Sequence, residues 1–334
     1  MVNVFFYNTV NDFKADNPIR NQPISFTDKD FIRYLINLGS YSNKSLSFNG
    51  WKFYFSLVKM AIVEDNNILK ISDDYYNAES SIKTAISYFI GSLSAYALAE
   101  KVHRVSHLYH LKDPIINNIN RYNAYNRKTP DFFGLKNFNL GSPILIEAKG
   151  TSKSRLDPVT VTKAKDQVNA ISSINFRGSS QPITHFERHV IGAYFKGREL
   201  NFCDIDPNET GSIIYEFDAD SETLMYYRNI MFLLLFNSNS ARTITLNDNN
   251  DYIVVEFEGY NIGLNTLIFN RLKNYYNIDQ SGKNFINISE LEKDNETSLF
   301  DNIFRLSTEI NSPYDDQLQE DPSISLGRDG IIVF

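Results

Sequence analysis

The sequence lacks the features that several large protein classes require. It contains one cysteine, Cys203, which excludes an internal disulfide framework and a cysteine-based zinc finger. Its longest uninterrupted apolar run, Ile230 to Phe236, is far shorter than the roughly 20 residues that cross a bilayer as a helix. No basic segment followed by an apolar core stands at the beginning of the chain. We therefore expect a cytoplasmic protein without membrane association.

Sequence patterns of three other kinds of site are also missing. There is no GxxxxGK[ST] phosphate loop, which excludes an NTPase motor of that type, and no nucleophile-elbow pattern. The spacing of His103, His107 and His110 resembles ligand spacing on a helix, but the pattern there has become strand-like. His185 and His189 flank an acid, yet no cysteine or second cluster completes a set of ligands. The histidines therefore predict no zinc centre.

The most informative feature is a pair of short motifs, Pro130-Asp131 and the run from Ile144 to Lys149. Side chains alternate between the two faces of a strand, so Glu147 and Lys149 share one face at the end of an otherwise apolar segment. The intervening residues 134–143 are rich in glycine and asparagine, which favours a hairpin. Such a hairpin would bring Asp131 near Glu147. The alternative is an edge strand with a solvated Glu/Lys pair.

This pair of motifs resembles the signature of the PD-(D/E)xK nuclease superfamily. The resemblance covers residues 76–200 and implies a restriction-endonuclease-like α/β (α+β) core with a mixed central sheet flanked by helices. Asp131 and Glu147 would hold Mg²⁺, for which Mn²⁺ could substitute, because carboxylates are its preferred protein ligands. Lys149 would orient the attacking water and stabilise the charge that develops on the phosphate.

Hydrophobic periodicity predicts secondary structure that matches this core. The predicted order is helix, three strands, helix, strand, which is the core order of the superfamily. The helices are predicted over 77–102 and 159–172, and the strands over 105–111, around Asp131, around Glu147 and over 190–195. Residues 1–75 form an N-terminal accessory region, with strand-like segments at 2–7 and 52–58. Residues 201–334 form an acidic C-terminal accessory α+β domain, with a helix over 221–236 and a final strand within 330–334.

The resemblance implies two further catalytic residues. Glu79 lies at the start of the first core helix and would be a third acid at the metal; alternatively, it only complements the helix dipole. Gln167 shares a face of the second core helix with Lys163 and would contact the bound water or the phosphate. The alternative for Gln167 is an ordinary surface position.

Charge is distributed unevenly along the chain. Residues 101–165 carry a net charge of +8, whereas residues 201–334 carry −15. The basic segment predicts a phosphate-binding surface, although charge blocks can also be simple solvated faces. The candidate nucleic-acid-binding residues are Arg127, Lys128, Lys153, Arg155 and Lys163. The acidic region could bind a protein partner or form a homodimer.

Together these features predict a Mg²⁺-dependent deoxyribonuclease that acts on double-stranded DNA, as an endonuclease in restriction or anti-phage defence. The assignment to defence rests on analogy with the superfamily. One alternative is a non-catalytic nuclease-fold module that binds nucleic acid or a protein. Another keeps the catalysis but changes the substrate to RNA or branched DNA.

Overall fold

The computed structural model shows a protein of mixed α/β structure. It describes residues 1–38, 47–111, 129–136, 139–177, 181–207, 211–246, 250–278, 284–287, 298–310 and 323–334. The candidate residues Arg127 and Lys128 lie outside this described part. Among the described residues, no helix is both long and apolar enough to cross a membrane.

The helices and strands are as follows. The helices are α1 (Val10–Ala15), α2 (Asp28–Ile36), α3 (Phe48–Ala61), α4 (Asp73–Asn77), α5 (Ser80–Lys101), α6 (Pro158–Val168), α7 (Ala219–Phe236), α8 (Thr266–Leu272) and α9 (Leu299–Ile310). The strands are β1 (Val2–Tyr7), β2 (Arg20–Ile24), β3 (Ile62–Asp65), β4 (Ile68–Ile71), β5 (Val105–His110), β6 (Phe132–Lys136), β7 (Asn139–Gly150), β8 (Ile171–Phe176), β9 (Glu187–Lys196), β10 (Glu199–Ile205), β11 (Ile213–Phe217), β12 (Arg242–Leu246), β13 (Asn250–Phe257), β14 (Tyr260–Asn265), β15 (Tyr276–Ile278), β16 (Asn284–Ile286), β17 (Ser325–Leu326) and β18 (Ile331–Val333).

The chain divides into two compact units. The first contains the described residues of Met1–Phe26, Phe53–Lys112 and Ile119–Glu216. The second contains those of Thr27–Lys52 and Phe217–Phe334.

A large mixed sheet forms the centre of the first unit, as predicted at the level of α/β class. Its strand order is β2-β1-β10-β9-β7-β6-β5, and β4 joins both β10 and β3. The strands β5, β6 and β7 are antiparallel neighbours, whereas β7 and β9 are parallel. Four strands from the first 75 residues belong to this same sheet. Parallel neighbours need a crossover connection, and α6 lies within the one between β7 and β9.

The helix α5 packs tightly on this sheet. Nearly every residue from Ile86 to Ala99 is buried, as expected for a helix that is apolar around most of its circumference. At Gly91 the helix touches the end of β7 so closely that an added Cβ would lie 2.6 Å from the backbone nitrogen of Gly150. A Cβ at Gly150 would meet the carbonyl oxygen of Ser87. Two glycines therefore let the middle of α5 lie directly against the end of β7.

Two sequence-based predictions of secondary structure were wrong. Residues 52–58 are not a strand but part of α3, because Trp51, Phe55 and Val58 are buried at helical spacing. The helix predicted over 159–172 ends earlier, at Val168, and is followed by β8, which pairs with β11. Asp157 caps the start of this helix through its side chain, and Pro158 occupies the first turn.

The second unit contains an antiparallel sheet with the order β12-β13-β14-β18-β17. The predicted helix over 221–236 is present as α7, and the predicted terminal strand is present as β18, which pairs with β14. The helix α2 also belongs to this unit. Its first turn is closed by a capping box between Thr27 and Asp30.

Candidate active site

The hairpin of β6 and β7 places Asp131 opposite Glu147. The antiparallel register pairs Phe133 with Leu145 and Phe132 with Ile146, so the next opposed positions are 131 and 147. Directly opposed side chains of an antiparallel pair lie on the same face, with Cβ atoms about 5 Å apart. The position of Asp131 is fixed further because its Oδ2 accepts a hydrogen bond of 3.0 Å from the backbone N–H of Ala148.

Glu147 and Lys149 form an ion pair at the end of β7. The Nζ of Lys149 donates to Oε1 of Glu147, as strand alternation allows for residues two apart. The Glu147 side chain is completely buried, whereas 23% of the Lys149 side chain is exposed. A buried carboxylate requires a compensating positive charge, and Lys149 supplies one. Part of the Lys149 side chain therefore remains accessible to solvent.

A cleft of about 550 Å³ opens beside these three side chains. One wall comes from the start of α5, another from the end of β7 and the loop that follows it, and α6 contributes one residue. The lining residues are Ser80, Lys83, Thr84, Ser87, Tyr88, Asp131, Glu147, Ala148, Lys149, Gly150, Thr151, Ser152, Lys153 and Gln167. The cleft therefore brings two carboxylates together with three ammonium groups.

Tyr88 places a phenol in this cleft. Although 44% of Tyr88 is exposed, partial burial of its hydroxyl, reinforced by the negative charges of Asp131 and Glu147 and opposed by a hydrogen bond with Ser92, raises the pKa of Tyr88 to about 12. The hydroxyl is therefore protonated at neutral pH and can act as a hydrogen-bond donor. Behind it, the Ser87 hydroxyl lies 2.8 Å from the hydroxyl of Tyr75, which fixes this part of the cleft wall.

The other predicted catalytic residues occupy different positions. Gln167 is half-buried on α6 and lines the cleft. Glu79 is the exposed N-cap residue of α5, and its side chain makes no capping hydrogen bond. It is absent from the cleft lining, although the next residue, Ser80, is part of it. The start of α5 thus reaches the site, while Glu79 does not contribute to the wall.

The described basic residues that were predicted to bind nucleic acid differ in whether they line the cleft. Lys153 is exposed and lines the cleft. Lys163 is exposed on α6 outside the lining. Arg155 is half-buried: its guanidinium lies 4.7 Å from the centre of the Phe13 ring and donates to the Phe13 carbonyl oxygen. Arg155 is therefore engaged in packing within the unit and does not line the cleft.

The contribution of α5 to the cleft wall was not predicted from the sequence. Ser80, Lys83 or Thr84, and Ser87 or Tyr88 follow one another at three- and four-residue intervals, so they lie on one face of the helix. The same interval continues to Gly91, which touches β7. In the sequence, polar residues at helical spacing that continue to a glycine indicate that this face of α5 is a cleft wall.

Comparisons of the chain with protein-family models, with curated proteins and with solved structures found no match. The chemistry of the cleft is therefore inferred from its own residues.

Proposed function

We propose that the protein is a metal-dependent nuclease with a restriction-endonuclease-like core, which hydrolyses phosphodiester bonds of double-stranded DNA as an endonuclease. The observation that carries the proposal is the meeting of Asp131, Glu147 and Lys149 in one cleft at the end of the β6–β7 hairpin. A role in restriction or anti-phage defence is part of the proposal by analogy alone.

The arrangement of elements around the cleft supports this proposal. The order α5, β5, β6, β7, α6, β9 follows the core order that the sequence resemblance implies, with β8 inserted before the last strand. The strand β9 lies parallel to β7 and next to it. The two acidic residues come from neighbouring antiparallel strands, and the lysine lies two residues after the second acid.

The donor set of the cleft fits Mg²⁺. Asp131 and Glu147 supply oxygen ligands, which Mg²⁺ prefers, and the cleft volume of about 550 Å³ leaves room for the waters that the ion retains. When bound, the ion would lower the pKa of a water and offset negative charge on the phosphate. Asp131 and Glu147 would hold it, and Lys149 already contacts the same Glu147 carboxylate.

The remaining lining residues would position the substrate. The ammonium of Lys149, held at Glu147, would orient the attacking water and stabilise negative charge on the reacting phosphate. Lys83 and Lys153 would attract the DNA backbone from the two sides of the cleft. Tyr88, protonated at neutral pH, would donate a hydrogen bond to a phosphate oxygen.

The test is nicking of supercoiled plasmid by the purified protein with Mg²⁺, with Mn²⁺ and with a chelator. We expect metal-dependent nicking that Asp131→Asn, Glu147→Gln and Lys149→Met each reduce by at least about a hundredfold. The matched controls are Glu64→Gln and Lys196→Met, which change an exposed acid and an exposed lysine outside the cleft lining. Both controls should retain wild-type activity.

Undiminished nicking by folded Glu147→Gln protein would overturn the proposal. Metal-independent DNA binding without nicking would favour the non-catalytic module instead. The variant Glu79→Gln decides the role of the third predicted acid: because Glu79 lies outside the cleft lining, we expect it to keep most of the activity.

A further inference from the structure

A second cluster of ionisable side chains lies in the first unit, apart from the cleft. His103 Nε2 is 2.8 Å from Asp204 Oδ2, and His189 Nδ1 is 2.6 Å from Asp204 Oδ1. The two imidazole rings are 4.2 Å apart between their centres. One nitrogen from each histidine and one carboxylate oxygen all lie within 4.8 Å of one another.

Three separate segments of the chain build this cluster. His103 follows the end of α5, where Arg104 takes a left-handed conformation with φ of 58° and turns the chain towards β5. His189 lies on β9 and Asp204 on β10; since the register pairs Asp204 with Ile191, His189 is its diagonal neighbour on the same face. The cluster therefore joins the end of α5 to two adjacent strands.

The cluster lies on the opposite face of the sheet from the catalytic candidates. His189 is paired with Ile146 of β7, whereas Val190 is paired with Glu147. Because successive residues of a strand point to opposite faces, His189 and Glu147 point away from each other. None of the three clustered residues lines the cleft. A ligand at the histidines would thus be separate from one at Asp131 and Glu147.

The charges around the cluster favour a divalent cation. Asp206 and Glu187 act electrostatically on His189, in addition to Asp204, and Glu187 is paired with Lys136 at 2.5 Å. Three carboxylates and one ammonium leave a net charge of about −2 when both imidazoles are neutral.

We propose that His103, His189 and Asp204 form a Zn²⁺ site. Two imidazole nitrogens and a carboxylate oxygen are ligands that suit Zn²⁺, with a water completing a tetrahedral set. The side chains of Asp204, His189 and His103 are 3%, 10% and 13% exposed, so the site is largely shielded but reachable at His103. The bound ion would connect the end of α5 to β9 and β10 through its three protein ligands.

The expectation that the histidines form no zinc set rested on sequence neighbours alone. In the sequence, His189 lies near His185, and His103 lies near His107 and His110. Nothing in the local sequence of Asp204 marks a metal ligand. The ligands converge only through the strand register and the end of α5.

The test uses protein stripped of metal with a chelator and titrated separately with Zn²⁺, by calorimetry, and with Co²⁺, by visible absorption. We expect saturable binding of one ion at the cluster, in addition to any ion that Asp131 and Glu147 hold, with the absorption bands of tetrahedral Co²⁺ and displacement of Co²⁺ by Zn²⁺. The variant His103→Gln, which changes the most exposed ligand, should bind at least about tenfold more weakly. The matched control is His185→Gln, an exposed histidine outside the cluster, which should bind like the wild type.

Two further measurements make every outcome decisive. Glu147→Gln should retain Zn²⁺ affinity, whatever its effect on nicking, so this site and the nuclease proposal fail independently. X-ray absorption of the Zn²⁺-loaded wild type should show scattering from two imidazoles, which does not depend on the folding of any variant. Absence of saturable binding to Glu147→Gln protein, equal affinity of folded His103→Gln, or a spectrum without two imidazoles would overturn the proposal and leave a hydrogen-bonded His–Asp–His cluster.

Discussion

Replacing Gly91 with alanine sets two known effects against each other. Gly91 lies in the interior of the 22-residue helix α5, and exchanging an interior helical glycine for alanine ordinarily stabilises a protein by about 1 kcal/mol. In this helix, however, the added Cβ would lie 2.6 Å from the backbone nitrogen of Gly150 and 2.7 Å from the carbonyl carbon of Lys149. These are main-chain atoms of a central strand, which cannot rotate away.

The size of the clash determines whether Gly91→Ala raises or lowers the free energy of unfolding. Comfortable contact distances are about 3.5 Å, so α5 must retreat from β7 by roughly 1 Å. Overpacking of this kind typically costs about 1–3 kcal/mol, and this contact lies at the upper end because backbone meets backbone. We therefore expect Gly91→Ala to lower the free energy of unfolding by about 1–2 kcal/mol after the gain in helix propensity is included.

The same retreat would affect the cleft. Ser87 and Tyr88 lie one turn before Gly91 and line the wall that faces Lys149. A displacement of about 1 Å in a catalytic site can reduce the rate by roughly a hundredfold, so nicking by the proposed nuclease should fall by that order.

Urea denaturation and the plasmid assay measure the two effects of Gly91→Ala. The control is Ala85→Gly on the exposed side of α5, which should lose about 1 kcal/mol from propensity alone and leave the cleft unchanged. If Gly91→Ala were instead more stable than the wild type by about 1 kcal/mol, the close packing of α5 on β7 would be refuted.

Two further predictions concern buried ionisable side chains. Lys149→Met removes the ammonium from the completely buried Glu147 carboxylate and should lower the free energy of unfolding by about 3 kcal/mol in urea denaturation; a change below about 0.5 kcal/mol would contradict this ion-pair role. Burial lowers the pKa of His107 from about 6.5 in the unfolded chain to about 3, so the unfolded state binds the proton first as the pH falls. Stability should therefore decrease between pH 6.5 and 3, by about 2 kcal/mol at pH 5 from this residue, and denaturation of His107→Leu should show a correspondingly shallower loss.

The sequence is most informative where local rules and tertiary environment agree. Strand alternation alone predicts that Glu147 and Lys149 share a face, and the structure pairs them. The helix α3 shows the opposite case: its aromatic and β-branched residues favour a strand locally, but Trp51 and Phe55 are buried at helical spacing. Intrinsic β-propensity describes how well a side chain fits a half-buried pleated surface. In α3 these two aromatic side chains are buried on one face of a helix instead, so their β-propensity does not decide the local structure.

Charge in the sequence is a poor guide to charge in the cleft for a related reason. The sum of +8 over residues 101–165 includes Arg155, whose guanidinium packs on Phe13, and excludes Lys83, which lines the cleft. Within the described lining, three lysines face two carboxylates, and one lysine is engaged with Glu147. The cleft by itself is therefore close to electrical balance and would attract phosphate only weakly. In the proposed nuclease, a divalent cation held by Asp131 and Glu147 would add two positive charges to this cleft, and its attraction for a phosphate backbone should therefore increase when the metal binds.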